Sequence, residues 1–422
     1  MKIQALLIHQ AFVTGNEPGG TRHFELSRRL VANGHRFTVV TSDVGYQSGR
    51  RLVSGSRFVT RSEEEGVSIL RIRTFASLHK SYLRRVLAYL AFMANAVIVG
   101  AREPRPDVVM GTTPPIFQAI SAWLLSVIHR RPLLLEVRDL WPEFAIDIGL
   151  LRNPILIGLS RRLERFLYAR ADHILVNSPA YRDYLVGKGV ARQKVSLIPN
   201  GADLAMFDPA ERGAEFRRQH GCESKFVFTY AGAIGMANDI DQLLKAAAAL
   251  QLRNDIAILI VADGKESQRL VNMAAQLELK NVVFTGALPK SSMKQVLAAS
   301  DACIAILKNI PMFTTTYPNK VFDYMAAGRP TLLVIDGVIR EVIEAAQGGI
   351  FVPPERPDLL AAAMESMADA PEASRQMGWN AREHVLRYFN RDQQARDFEE
   401  LLCWVAAGAA PKSRASLAAA DM

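Results

Sequence analysis

The chain has 422 residues, 49% hydrophobic and 22% charged, enough for two or three ordinary domains that each bury a core. Its 51 basic against 42 acidic residues give a net charge of +9, which favours anionic partners such as nucleotides or a phospholipid surface. Three widely separated cysteines, Cys222, Cys303 and Cys403, exclude a disulfide framework and a zinc site of CxxC or Cys/His spacing.

Short β-branched runs alternate with helical patterns along nearly the whole chain, the signature of parallel sheets covered by helices. The opening "MKIQALLIHQ" has only a short apolar run and no small-residue cleavage pattern, so it reads as a first strand and not as a secretion signal. The first-half strands are "IQALLI", "RFTVVTS", "VSILRI", "DVVMG", "PLLLEV", "HILVN" and "KVSLIPN". After the first comes "HQAFVTGNEPGGTRHFELSRRLVANGH", where Gly19 and Gly20 open a helix whose N-terminus suits a phosphate or a sugar hydroxyl. The pair comes too late after the strand for a dinucleotide fingerprint, so Asp43 is not read as a ribose ligand. Three histidines in the first half, His9, His23 and His79, draw notice, and only His9, at the end of the first strand, is kept as a candidate.

Two stretches mix cations with bulky apolar residues. Residues 86–101 form a 16-residue apolar run between Arg84, Arg85 and Arg102, Arg105, shorter than the roughly 20 residues a membrane span needs. "LRNPILIGLSRRLERFLYAR" sets Arg152, Arg161, Arg162, Arg165 and Arg170 among Leu, Ile and Phe. Together they are expected to lie on an anionic membrane surface; the competing reading is two buried helices whose arginines reach out to water. No recognised nucleic-acid motif accompanies the charge, and no nucleic-acid partner is expected. The loop after "PLLLEV", "RDLWPEFAIDIG", crowds charged and aromatic groups at a strand's carboxyl end, where burial and neighbouring charge tune acidity. Arg138, Asp139 and Glu143 are the candidate catalytic residues there.

The polar segment "GADLAMFDPAERGAEFRRQHG" separates the halves, giving expected domains at 1–205 and 206–390, then a C-terminal helix and flexible tail over 391–422. The second half restarts with "KFVFTYAG", "IAILIVADG", "NVVFTG", "ACIAIL", "TLLVI" and "GGIFVPP". "TYAGAIGMANDIDQLLKAA" repeats the strand, glycine and helix design, with Gly232 and Gly235 placed to offer backbone donors to phosphate. Asp239 and Asp241 form a D-x-D, but both fall in a helix's first turn, where the dipole favours acids, and no metal is expected. In "LKNIPMFTTTYPNKVFDYMAAGRP", Thr315, Thr316 and Lys320 at a helix start make a second anion site. Asp323, one turn on, can accept from a vicinal diol such as a ribose. Phosphate beside diol describes a nucleotide.

The early Gly-Gly pair, "LVANGHRFTVVTS", "NSPAYRDYL", "KVSLIPNGAD", "YAGAIG", "ADG", "FTGALPKSSMKQVLAASD" and "PNKVFDYMAAGRP" follow one another over nearly the whole chain. In this the chain resembles bacterial glycosyltransferase family 4, of the GT-B type, and its "RDLWPE" loop resembles the subgroup of L-fucosamine transferases of O-antigen and capsule synthesis. The resemblance implies an α/β fold of two doubly wound Rossmann-like domains facing across a cleft, the first on the acceptor side and the second holding a nucleotide-sugar. It implies that Gly19 and Gly20 approach the donor diphosphate or the acceptor, that Gly235 faces the diphosphate, and that Gly286 lies near the base. Asp323 falls where the family has the second Glu of its E-x7-E motif, which binds ribose.

Three departures stand out. Thr315 replaces the first Glu of that motif; "GMAND" replaces the usual Arg and Lys, leaving Lys320 and Arg138 as candidate cations; and Arg138-Asp139 stands where many relatives have His-Asp. The function the resemblance implies is a retaining transfer of a sugar, an N-acetylated amino or deoxyamino sugar, from a UDP-sugar to a polyprenyl-linked glycan. It would proceed without a cofactor or metal, on the inner face of the plasma membrane. The alternatives are a UDP-sugar 2-epimerase of the same fold and a non-catalytic nucleotide-binding subunit.

Overall fold

The computed structural model describes residues 1–45, 49, 51–74 and 82–408, apart from the side chains of 82–85. His79, the side chains of Arg84 and Arg85, and the tail 409–422, on which expectations above fall, lie outside the described residues. The chain divides into two compact units, one of residues 1–14, 21–199 and 392–422, the other of residues 15–20 and 200–391.

The first unit comprises β1 (Gln4–Ile8), α1 (Arg22–Ala32), β2 (Arg36–Ser42), β3 (Val59–Glu64), β4 (Val67–Ile72), α2 (Tyr82–Gly100), β5 (Val108–Thr113), α3 (Phe117–His129), β6 (Leu133–Val137), α4 (Glu143–Asp147), α5 (Pro154–Arg170), β7 (His173–Val176), α6 (Pro179–Gly187) and β8 (Val195–Leu197). Its sheet runs β3-β4-β2-β1-β5-β6-β7-β8. All neighbours are parallel except β3, which pairs antiparallel with β4 at the edge. Strands β5, β6 and β7 are buried throughout, as parallel strands covered on both faces must be.

The edge strand β3 was not expected, because "VTRSEE" carries no apolar alternation. Its signal is the turn that follows: Glu65 and Gly66 both have positive φ (46° and 80°), as a two-residue hairpin of the primed type requires. The exposed charges of β3 also keep this edge from pairing with another chain.

The second unit comprises α7 (Ala214–Gln219), β9 (Phe226–Ala233), α8 (Ile240–Ala249), β10 (Ile256–Asp263), α9 (Ser267–Gln276), β11 (Val282–Phe284), α10 (Met293–Ala298), β12 (Ala302–Ile306), α11 (Asn319–Ala326), β13 (Thr331–Val334), α12 (Val338–Ala346), β14 (Gly349–Phe351), α13 (Pro357–Asp369) and α14 (Pro371–Tyr388). The sheet order β11-β10-β9-β12-β13-β14, all parallel, is that of a doubly wound fold. Strand order reverses between β1 and β5 in the first unit and between β9 and β12 in the second. Ligands of open α/β sheets bind outside the carboxyl ends of strands at such points.

The junction between the units falls at Pro199 and Asn200, a few residues before the expected place. The polar look of "GADLAMFDPAERG" hides two core residues, Ala202 and Phe207, which pack in the second unit with Val321, Phe322 and Phe389. The last helix, α15 (Arg391–Ala406), is not a separate end piece. Its Ala395, Phe398, Leu402 and Val405 complete the first unit's core beside Leu7, Phe24 and Leu30, and Glu399 accepts from Asn33 and contacts His35 Nε2 at 2.8 Å.

The two basic and apolar stretches become α2 and α5, each with a buried stripe. In α2 Phe92, Ala96 and Val99 are buried while Leu87, Leu90 and Ile98 are exposed; in α5 Leu167 and Tyr168 are buried while Ile155, Leu156 and Leu159 are exposed. α3 packs against both, partly through Trp123 on Phe166, and leaves Val127 and Ile128 in the open. Among the described residues no helix is long and apolar enough to cross a membrane.

Candidate functional site

At the first unit's switch point, β1 runs into His9, β5 ends at Thr113, and β6 is followed by Arg138. The Arg138 Nε donates to Thr112 Oγ1 at 2.9 Å and to the Thr113 carbonyl at 3.3 Å, and its Nη2 donates to His9 Nε2 at 2.9 Å. Burial, the Arg138 charge and His23 keep His9 well below its ordinary pKa, so the ring is neutral and accepts from Arg138. The remaining ring nitrogen of His9, Nδ1, is buried with no hydrogen-bond partner among the described residues.

The His23 ring lies edge-on to His9, with centroids 4.6 Å apart, and its Nε2 contacts a carboxylate oxygen of Glu136. The other oxygen takes Arg22 Nε at 2.9 Å, while the Arg22 Nη groups donate to the Pro199 and Ile198 carbonyls. Burial alone would raise the Glu136 pKa, but His23, Arg22 and Arg138 outweigh it and hold the group well below the carboxylate range. This buried cluster was missed in the sequence. Its signal was Glu136 itself, a carboxylate inside the apolar strand "PLLLEV" that burial obliges to find cations.

Asp139 differs from its neighbours. Its carboxyl makes no hydrogen bond among the described residues, and burial raises its pKa to about 6 against the pull of Arg138. The third expected catalytic residue, Glu143, is engaged elsewhere: Arg161 grips it through two bonds of 3.0 and 2.9 Å, and Lys188 and Tyr184 each approach at 3.4 Å. The Arg161 bonds lead in keeping it ionised. It therefore acts as a clamp between α4, α5 and α6, whereas Arg138 and Asp139 stay together at the end of β6.

In the second unit the residues expected to bind an anion gather at the carboxyl end of β9 and the start of α11. Lys320 sits in the first turn of α11, its Nζ 3.9 Å from the centre of the Tyr230 ring. It makes no hydrogen bond or ion pair among the described residues, and loss of water lowers its pKa to about 7. Gly232 is needed beneath it: a Cβ there would lie 2.8 Å from Lys320 Nζ, and its φ of 148° suits glycine. Tyr324 of the same helix fixes the end of β9, its hydroxyl bonded to the amide and carbonyl of Ala231.

Asp323 is held by Lys290, Nζ to Oδ2 2.5 Å. Lys290 lies in the loop after β11, and its amide and that of Ser291 donate to the Glu17 and Gly15 carbonyls. The loop carrying Gly19 and Gly20 thus belongs to the second unit. A Cβ on Gly20 would be 3.4 Å from Asn319 Nδ2, and the Asn319 Oδ1 is buried without a partner. Helix α1 itself starts at Arg22, in the first unit.

Other expected residues are placed less directly. The hydroxyls of Thr315 and Thr316 donate back to the Met312 and Phe313 carbonyls at 2.6 and 2.8 Å, which leaves oxygen lone pairs but no proton for a ligand. The amide of Gly235 is taken by Asn238 Oδ1 at 3.3 Å within its own loop. Gly286 turns with φ 79° and has open space around its Cα. Asp239 caps α8 by accepting from the Gln242 amide, and Asp241 is tied to Arg269 by two bonds of 2.6 and 2.7 Å. Lys290 and Tyr230 were not foreseen, whereas Gly232 was read with Gly235 as a phosphate-cradling glycine and is found beneath Lys320. A lysine next to "ALP" and an aromatic residue within a strand look ordinary until the fold brings them to α11.

Residues 19–201 match the glycosyl transferase 4-like domain, and residues 213–384 match the glycosyl transferases group 1 domain. The chain belongs to the family 4 glycosyltransferases of the GT-B type, and it is a transferase. Among curated relatives, WcaI of Escherichia coli K12, named for colanic acid biosynthesis, is 23% identical over 89% of this chain and 93% of its own length. The glycosyltransferase WbjE of Pseudomonas aeruginosa is 26% identical over 68% of this chain and 72% of its own. Among solved structures, sucrose-phosphate synthase of Thermosynechococcus elongatus has a TM-score of 0.76 at 18% identity, covering 96% of this chain and 100% of that one. HepE of Anabaena, solved in complex with UDP-glucose, has a TM-score of 0.69 at 16% identity, covering 95% and 99%. These structural likenesses establish the fold.

Proposed function

We propose that the protein transfers a sugar from a UDP-sugar to a lipid-linked glycan in surface polysaccharide synthesis. The observation that carries this reading is Lys320, a half-buried ammonium with no carboxylate partner among the described residues, set in the first turn of a helix at a switch point. An anion placed there would gain the positive end of the helix dipole and the ammonium together. Asp323, oriented by Lys290, offers a carboxylate to a ribose diol one turn further on. A neighbour of this fold was solved with UDP-glucose, and WcaI bears a polysaccharide name, which supports both the donor class and the pathway type.

In the proposed reaction the bond from the sugar's anomeric carbon to the diphosphate breaks and the acceptor oxygen takes its place on the same face. The acceptor proton passes to the departing diphosphate. Lys320 and the α11 amides would stabilise the charge that builds on that diphosphate more than they stabilise the bound donor. Arg138, braced by neutral His9 and Thr112, and Asp139, with a pKa of about 6, are assigned to the sugar and the acceptor hydroxyl. The "RDLWPE" loop that carries them supports a deoxyamino sugar such as L-fucosamine. The exposed Ile155, Leu156 and Leu159 of α5, flanked by Arg152, Arg162 and Arg165, suit an anionic membrane surface where a lipid-linked acceptor resides.

The test is a transfer assay with labelled UDP-sugars and polyprenyl-linked acceptors, the anomeric configuration of the product being read by NMR. Labelled product with the donor's configuration supports the proposal. Conversion of the donor alone into an isomer would make the protein an epimerase instead.

A further inference from the structure

At the opposite end of the second unit's sheet, under the amino ends of β9, β12 and β13, lies a cavity of about 350 Å³. That volume falls at the low end of the roughly 300–1,000 Å³ typical of small-molecule sites. Four arginines line it, Arg212, Arg217, Arg329 and Arg375, with two carboxylates, Glu223 and Asp301. The lining therefore carries an excess of two positive charges.

The carboxylates do not neutralise the arginines evenly. Arg217 is paired with Asp301 at 2.7 Å, and Asp301 also accepts from the Val227 amide. Arg375 pairs with Glu372, a residue outside the lining. Arg329, 4% exposed, meets only carbonyls: its Nε reaches Leu297 at 2.8 Å and its Nη2 reaches Glu211 and Ala298 at 2.7 and 3.2 Å. Its Nη1 makes no bond among the described residues. Arg212 is exposed and, among the described residues, hydrogen-bonds only to the Pro209 carbonyl, at 3.4 Å. Burial, together with the charges of Arg212 and Arg217, lowers Arg329 to about 10, so this guanidinium is short of negative charge. Arg217 Nε is a further buried donor without a partner.

The walls are built rather than loose. A Cβ on Gly213, at the turn into α7, would lie 2.5 Å from the Ala299 amide nitrogen, and one on Gly378 of α14 would lie 2.2 Å from the Gly328 carbonyl. Only glycines allow these backbones to meet so closely, and they hold Arg212, Arg329 and Arg375 around one space.

We infer that this cavity is a second ligand site, distinct from the nucleotide end of the sheet, that takes a phosphate monoester of sugar-phosphate size on Arg212, Arg329 and Arg375. The oxygens of a phosphate suit guanidinium forks, and neither Arg212 nor Arg329 has a carboxylate partner among the described residues. The space beyond one phosphate holds the sugar. Helix α11 runs between the two sites, with Lys320 and Asp323 in its first half and the cavity-lining Gly328 and Arg329 just past its end.

Titration calorimetry of the full chain with glucose 1-phosphate, inorganic phosphate and UDP tests this. Glucose 1-phosphate is expected to bind at least tenfold more tightly than inorganic phosphate. The exposed substitutions Arg212→Glu and Arg375→Glu should each weaken it tenfold or more while leaving UDP affinity unchanged, and Lys320→Met should leave it unchanged. No binding at millimolar concentration, or binding indifferent to both arginine variants, would overturn the site. Loss of glucose 1-phosphate binding in Lys320→Met would place the anion at the start of α11 and overturn it equally. Equal affinity for the two phosphates would overturn the sugar-phosphate assignment.

Discussion

The ammonium of Lys320 rests 3.9 Å from the centre of the Tyr230 ring, held over an aromatic face with no carboxylate to neutralise it among the described residues. A cation–π contact compensates part of the lost hydration but leaves the charge available to an incoming anion. With a pKa of about 7 in the free protein, Lys320 is only partly protonated at neutral pH. A bound diphosphate would raise that pKa. Between the two values binding takes up a proton, so UDP affinity should fall as pH rises from about 7 towards 10, by up to about tenfold per unit. Calorimetry in buffers of different ionisation enthalpy should detect the proton uptake, and Lys320→Met should abolish both the uptake and the slope.

Asp139 gives a second pH signature. Its pKa of about 6 means that its carboxylate is lost as pH falls through 6, two units earlier than for an ordinary aspartate. If the carboxylate acts on the acceptor hydroxyl, kcat/KM should decline below pH 6 with a single inflection. Asp139→Asn should lower kcat by up to roughly 10²-fold, through lost positioning of the acceptor hydroxyl, and remove that inflection. Retention of the inflection in the variant would assign it to another group.

Glu136 should prove structural. Glu136→Gln removes the negative charge that faces the buried Arg22 guanidinium and the His23 ring. The expected loss is about 3–5 kcal/mol in denaturant unfolding, since removing one partner strands a buried charge. Glu143→Gln, by contrast, affects an outer clamp whose principal partner Arg161 is half exposed. It should cost about 1 kcal/mol or less.

The α5 face makes a prediction about surfaces. Ile155, Leu156 and Leu159 are 72%, 44% and 54% exposed, so changing all three to Ser should leave folding nearly intact. Co-sedimentation with anionic phosphatidylglycerol vesicles at low salt should fall at least tenfold, because burying each side chain in lipid is worth about 1.5 kcal/mol or more. Unchanged co-sedimentation would remove α5 as a membrane contact.

Much of the architecture was readable because parallel strands buried on both faces are continuous apolar runs, and β5, β6, β9 and β10 have no other plausible form. The polar β3 lacked that pattern and was visible only through Glu65-Gly66. The domain junction was displaced because Ala202 and Phe207 sit in a segment whose composition is that of a linker. Lys320 was legible for a local reason, a cation where the helix dipole disfavours one. Lys290, His23, Glu136 and Arg22 were not, because their roles depend on partners distant in sequence: 33 residues from Lys290 to Asp323 and 114 from Arg22 to Glu136. Glu143 shows the reverse. Its crowded neighbourhood suggested chemistry, and the fold supplied Arg161 and Lys188 from later helices to satisfy it.

The most direct test of the account is equilibrium binding of uridine, guanosine and adenosine diphosphates to the wild-type chain, Lys320→Met and Asp323→Asn at pH 7. Selective binding of UDP, weakened at least tenfold by each substitution in protein of unchanged thermal stability, is the predicted result. Absence of nucleotide binding, or UDP affinity indifferent to both substitutions, would contradict the assignment of α11 as the donor site.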